Sequence, residues 1–326
     1  MRVLTPEARS TCYNLRVSEM GIVATGVRRT FGDVVAVDHI DLTAPPGQVT
    51  ALVGPNGAGK TTLLLVLATL LVPDSGTVRV AGHDPVTHPR AVRARLGWMP
   101  DAFGTWESLT CREVLQTVAS AYRIGPAAAG RRIDELLQLV HLTDLADRPT
   151  QVLSRGQKQR LGLARALVHS PGVLLLDEPA SGLDPRSRIE LRGIVRGLAA
   201  DGVTVLVSSH VLAELDEMAD RAVIVARGRT VAVQELGGGA GGDRPPAPRT
   251  WRVRALDDAA LLAGLAAQGL EHGPPEREGV DVVLPDDLAA AALLAALVRA
   301  EVPVVSLHPV GGELEQAYLA VTEDRR

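Results

Sequence analysis

The sequence predicts a mixed α/β fold built on a mostly parallel sheet, and three observations carry the prediction. From Ile22 to about Leu236 short β-branched apolar runs alternate with helical periodicity. One of those runs ends in a glycine-rich turn that leads into a helix pattern, and strand signals vanish between Trp106 and Val152. The runs Val49–Val53, Val173–Leu176, Val203–Val207 and Ala222–Val225 are apolar without alternation, as strands covered on both faces should be. Leu63–Val72 is apolar over about half the length that a bilayer-spanning helix requires, so it reads as a buried core helix. In the stretch without strands, Thr110-Cys111-Arg112-Glu113 matches a capping box, which predicts a helical subdomain over about 103–152.

Residues 1–20 read as an N-terminal extension without the apolar core of a signal peptide, and Met20 is the expected native start. The main domain should span 21–236. Residues 237–250, "GGGAGGDRPPAPRT", combine glycine flexibility with proline stiffness and read as a linker. An accessory domain over 251–326 should follow: strand Trp251–Ala255, helix Asp257–Leu270, weak strands around Glu271 and at Val280–Leu284, helix Asp286–Ala300, strand Pro303–Leu307, and a last helix Glu313–Thr322. That βαββαβ order suits a small α+β, ferredoxin-like domain. It carries no catalytic cluster, so packing or dimerisation is its expected role.

Composition narrows the function classes. Apolar content of 46% and charged content of 22% fit a soluble globular chain. The net charge of -4 gives no basic footprint, which argues against a nucleic-acid partner. The two cysteines, Cys12 and Cys111, have neither disulfide-framework nor zinc-site spacing, and a reducing cytoplasm is their simplest home.

Two turns look built for phosphate. Gly54-Pro55-Asn56-Gly57-Ala58-Gly59-Lys60-Thr61, followed by Thr62, fits G-x-x-x-x-G-K-[ST] between a strand and a helix. Gly54, Gly57 and Gly59 let backbone N–H groups, with Asn56, close around phosphate, and the helix adds its positive end. Lys60 should neutralise the β- and γ-phosphates and Thr61 should offer its hydroxyl to Mg²⁺. Of 34 basic residues only Lys60 and Lys158 are lysine, so a compact ammonium stands where a phosphate cradle needs one. The second turn, Ser154-Arg155-Gly156-Gln157, is a capping-box helix start with its own open N–H groups. One nucleotide already fills the first turn, so the second should serve the nucleotide of another copy.

Catalytic groups sit at strand ends. The strand Val173–Leu176 runs into Asp177 and Glu178, where Asp177 suits Mg²⁺ coordination and Glu178 suits a general base for water. His210 ends another apolar strand and is a candidate reader of the γ-phosphate.

In family order, the turn at 54–61, "LSRGQ" at 153–157, "LLLDEP" ending at Pro179, "SGLD" at 181–184 and His210 resemble the ATP-binding subunits of ABC transporters. The resemblance covers roughly 21–236 and implies a P-loop NTPase core whose cofactors are ATP and Mg²⁺. It also implies a homodimer in which each chain's Ser154, Gly156 and Gln157 cap ATP held by the partner, while Ser181 and Asp184 belong to the loop that couples the two sites. By position Phe31 resembles the aromatic that stacks on adenine. Two residues depart from the pattern: Arg155 replaces the usual first glycine of the signature, and Asp101 stands where a glutamine beside the metal is usual. "GWMPDAFGTWESLT" and the C-terminal extension resemble the ABC-2-type exporters, including drug and antibiotic resistance subunits. The implied function is an ATPase on the inner, cytoplasmic face of the cell membrane, driving efflux of a drug-like or lipid-like substrate through a separate membrane permease. The alternative within the resemblance is a non-transport ABC ATPase acting on ribosomes or nucleic acid.

Overall fold

The structure, a computed structural model, describes residues 21–101, 104, 107–236, 249–275, 279–310, 314 and 318. The chain divides into two compact units, Met1–Gly238 and Gly239–Arg326. The N-terminal extension and most of the expected linker, residues 237–248, lie outside the described residues.

In the first unit the elements run β1 (Ile22–Phe31), β2 (Val34–Ala44), β3 (Val49–Val53), α1 (Lys60–Leu67), β4 (Ser75–Val80), α2 (Pro89–Arg93) and β5 (Leu96–Met99). Then come α3 (Cys111–Ala121), α4 (Pro126–Leu139), α5 (Arg155–Leu167), β6 (Val173–Asp177) and α6 (Pro185–Ala200). The unit ends with β7 (Thr204–Ser209), α7 (Leu212–Asp216), β8 (Arg221–Ala226) and β9 (Arg229–Glu235). One sheet joins the nine strands in the order β4-β1-β2-β9-β8-β3-β7-β6-β5.

The expected parallel sheet is its central part. There β3 pairs in parallel with β7 and β8, and β6 with β5 and β7. The wing differs: β1 pairs antiparallel with both β2 and β4. A two-residue turn makes the difference, since Phe31 pairs with Val34 around Gly32, whose φ of 57° suits a hairpin.

Every residue of β3, β6 and β7 is buried, which is why their sequences do not alternate. Leu63, Leu64 and Leu67 of α1 join Leu52, Leu175 and Leu206 of the sheet in one core, each such side chain contributing about 1.5–3 kcal/mol on burial. The expected core helix to Val72 is shorter. It ends at Leu67, Thr69 turns left-handed at φ 65°, and Leu70 and Val72 are exposed.

Between β5 and α5 lie α3 and α4, with two short 3₁₀ turns after them. The first of these helices carries the capping box: Glu113 N–H donates to Thr110 Oγ1 at 3.2 Å, and Thr110 N–H to Glu113 Oε2 at 2.8 Å. Such a cap contributes about 1 kcal/mol.

The second unit contains β10 (Arg249–Ala255), α8 (Asp258–Ala267), β11 (Val280–Leu284), α9 (Asp287–Arg299) and β12 (Val304–Pro309). Its sheet order is β11-β10-β12, antiparallel throughout. Arg249 and Thr250, expected in the linker, belong to β10. The strand expected around Glu271 is a single bridge between His272 and Val282, because Pro274 and Pro275 follow it and lack N–H donors. Of the expected last helix, Leu314 and Tyr318 are described and both are helical.

Candidate functional site

The parallel register aligns three strand ends. Val53 lies opposite Ser209, and Asp177 opposite Ser208, so the Gly54 turn, the Asp177-Glu178 pair and His210 leave the sheet side by side. In open α/β sheets this carboxyl edge is where ligands bind.

Backbone crowding fixes the glycines of the first turn. A Cβ on Gly54 would lie 2.2 Å from Val225 O, and one on Gly59 2.5 Å from Ala36 O. Gly59 also holds φ 98° as the N-cap of α1 and supplies no side-chain cap. The first-turn N–H groups of α1 are therefore left for an anion.

Lys60, 7% exposed, folds back over the turn and donates to Gly54 O at 2.7 Å and Pro55 O at 3.3 Å. Burial lowers its pKa, while the charges of Glu178 and Asp177 oppose that shift. Two neutral carbonyls thus hold a partly desolvated cation, which phosphate oxygens would satisfy better.

Asp177 is buried, and both its oxygens are engaged. Thr61 Oγ1 donates to Oδ2 at 3.3 Å, and Ser208 Oγ donates to Oδ1. Glu178 adopts φ 49°, a left-handed conformation that costs about 1–3 kcal/mol in a residue with a side chain. Its N–H donates to Ser208 O at 3.1 Å. His210 Nδ1 lies 2.9 Å from Glu178 Oε2, so the ring donates its Nδ1–H to that carboxylate.

Lys60, Asp177 and Glu178 border a cavity of about 420 Å³ lined by residues 34–36, 56–62, Asp101, Asp177 and Glu178, and His210 reaches it only through its bond to Glu178. Asn56, Gly57, Gly59, Lys60, Thr61 and Thr62 all lie in this lining, and Gly54 opens the turn. Thr61 and Asp177 offer hard oxygens of the kind Mg²⁺ prefers. Among the described residues no three acidic, histidine or cysteine side chains converge as a metal cage.

Phe31 is not part of this lining. It stands at the tip of the β1–β2 hairpin, 47% exposed, with the Arg29 guanidinium 4.9 Å from its ring centre. Asp74 anchors that tip by accepting from Thr30 Oγ1 at 2.6 Å, Thr30 N–H at 2.7 Å and Arg29 Nη1 at 2.8 Å, and the hydroxyl bond, then the backbone bond, hold its carboxyl below the usual range.

The second helix start lies apart from the cavity. None of Ser154, Gly156 and Gln157 lines it, and neither do Ser181 and Asp184. Ser154 caps α5 by accepting from Gln157 N–H at 3.2 Å, while its own N–H donates to Gln157 Oε1 at 2.9 Å. Asp184 caps α6, accepting from Ser187 N–H at 3.0 Å and Ser187 Oγ at 2.6 Å. The hydroxyl bond, then the backbone bond, keep its carboxyl below the ordinary range.

Sequence reasoning missed Ser208, which braces both acidic residues, and residues 34–36, which form one wall. "SSH" directly after an apolar strand was the available signal for Ser208.

Residues 37–181 match the protein family described as "ABC transporter". A daunorubicin resistance ATP-binding protein of Streptomyces coeruleorubidus is 41% identical over 231 residues, 70% of this chain and 73% of that protein. A daunorubicin/doxorubicin resistance ATP-binding protein of Streptomyces peucetius is 34% identical over 303 residues, 92% of each chain. That alignment is longer than the first unit, so the likeness reaches into the second. Among solved structures, the ATP-binding subunit of an ABC transporter superposes with a TM-score of 0.62 at 27% identity, covering 66% of this chain and 90% of that one.

Proposed function

The chain belongs to the ABC transporter family of ATP-binding proteins, and we propose that two copies of it close head to tail on two ATP molecules as the Mg²⁺-dependent ATPase of an exporter. The observation that carries this reading is the division of phosphate-type groups: Lys60, Asp177 and Glu178 border one cavity, while the helix start at Ser154 lies outside it. A second copy, turned by a two-fold axis, supplies Ser154 and the N–H of Gly156 to the γ-phosphate held by Lys60.

In this mechanism the N–H groups of the turn and the start of α1 cradle the phosphates, and Lys60 exchanges its two carbonyl partners for phosphate oxygens. Thr61 and Asp177 would hold Mg²⁺, with Asp101 at the rim of the same cavity. When bound, the ion neutralises charge on the β- and γ-phosphate oxygens. Glu178 accepts a proton from water as its oxygen attacks the γ-phosphorus, and ADP leaves with the bridging oxygen. His210 aims the Glu178 carboxylate through Nδ1–H, beside the place where the γ-phosphate is read. Phe31 supports the adenine from the hairpin tip.

Two relatives named for drug resistance support efflux of a drug-like or lipid-like substrate. Among the described residues no helix is long and apolar enough to cross a membrane, so a separate permease forms the path. The ATPase then works peripherally on the inner, cytoplasmic face of the membrane. The linker leads to a ferredoxin-like accessory domain that stabilises the pair of chains.

Glu178→Gln tests the reading. It should lower hydrolysis by about 10²- to 10⁴-fold while ATP still binds, and a sizing column should show an ATP-dependent dimer. Hydrolysis at the wild-type rate would contradict the assignment.

A further inference from the structure

Arg155 stands where the family pattern has glycine, and its guanidinium has a specific place. Nη2 donates to Ser181 Oγ at 3.0 Å. The same side chain lies over Gly182, where an added Cβ would come 2.7 Å from Arg155 Nε and 2.8 Å from Cδ. Gly182, at φ 74°, admits this approach because it has no side chain.

Neighbouring arginines of α5 and α6 are paired differently. Arg160 meets Glu190 at 2.7 Å and Arg188 meets Glu214 at 3.1 Å. Arg155, among the described residues, makes no ion pair and is held by the Ser181 hydroxyl alone. A cation bound by one neutral group keeps most of its donors available and rests in a shallow position.

Ser181 leads onward to the catalytic carboxylate. Its N–H donates to Glu178 O at 3.1 Å, closing the turn that holds Glu178 in its left-handed conformation. Three residues therefore link the start of α5 to the strained turn after β6: Arg155, Ser181 and Glu178. A second tie runs in parallel, because Arg160 Nη2 donates at 2.8 Å to Ser187 Oγ, which donates to Asp184.

We propose that Arg155 is a positioning residue that transmits occupancy of the helix start at Ser154, through Ser181, to the turn carrying Glu178. This rests on the two-copy reading above, in which phosphate at Ser154 belongs to one ATP and Glu178 acts on the other. Arg155 then lets ATP at one site promote hydrolysis at its twin.

The test is the ATP dependence of hydrolysis by the purified full-length chain. Wild-type protein should show a Hill coefficient clearly above 1, with about 2 as the limit for two coupled sites. In Arg155→Ala the coefficient should fall towards about 1 and the KM for ATP rise roughly tenfold, with a smaller change in kcat. Ser181→Ala should behave alike, and the double variant should be no worse than either single one. Arg155→Lys, which keeps a donor for the hydroxyl, should restore part of the cooperativity. Full cooperativity in Arg155→Ala, or additive effects of the two alanines, would overturn the proposal and leave the two-copy reading standing. A wild-type Hill coefficient of 1 would overturn both.

Discussion

The two phosphate-type helix starts differ in how they satisfy themselves. At α1 the N-cap is Gly59, which offers no side chain, and Lys60 bends over its own loop. At α5 the N-cap is Ser154, and a complete capping box with Gln157 already occupies two of the polar groups there. The first start has unfilled hydrogen-bonding capacity and a partly desolvated cation, so ATP binding should be intrinsic to one chain. The second is content alone, and a phosphate must compete with bonds worth about 1 kcal/mol. Such a site is a conditional contact, made when a second copy arrives and easily released.

The largest expected effect breaks the first start. Lys60→Ala should weaken ATP binding by about a thousandfold or more, since it removes the cation that pairs with two phosphates inside a cleft. Isothermal titration with a non-hydrolysable ATP analogue measures this, and a tenfold loss or less would show that the backbone cradle alone suffices. Ser154→Ala sharpens the comparison from the other side. It should leave ATP affinity of the single chain within about twofold, yet lower steady-state hydrolysis about tenfold, because only the trans contact is lost. Asp101→Gln should have the smallest effect, roughly twofold on hydrolysis, since an exposed carboxylate is exchanged for an amide of similar reach. A loss above about a hundredfold would give Asp101 a specific task.

Local chemistry made the first start legible in the sequence: a glycine at each crowded backbone position, a lysine in an arginine-rich chain, and carboxylates at the end of an apolar strand. The parallel strands were legible too, because β3, β6 and β7 are buried on both faces and cannot alternate. The antiparallel wing was not. In β1 and β2 the burial alternates unevenly around register shifts, which blurs a period of two. Ser208 escaped because a serine at the end of an apolar strand says nothing of the carboxylates across the register from it. Arg155 read only as a departure, since its contact with Ser181 spans 26 residues and depends on the packing of α5 against the turn after β6. Around Glu271 the expected strand reduces to one bridge, because Pro274 and Pro275 outweigh the strand order that the neighbouring elements suggest.

The central claim, that the two starts serve different ATP molecules, is tested most directly by mixing two crippled chains. Lys60→Ala disables the first start, and Gly156→Asp sets a carboxylate against the phosphate at the second. An added Cβ at Gly156 meets only the Leu183 Cδ2 methyl, at 3.2 Å, which must give by a few tenths of an ångström. Each variant alone should be nearly inactive. Mixed in equal amounts, the mixed pair regains one intact composite site, and at saturating ATP the activity should rise clearly above the sum of the separate variants, to at most about a quarter of wild type, because half of the pairs are mixed and each lacks ATP at its twin site. If activity in the mixture stays at the sum of the separate variants, both starts serve ATP within one chain and the account fails.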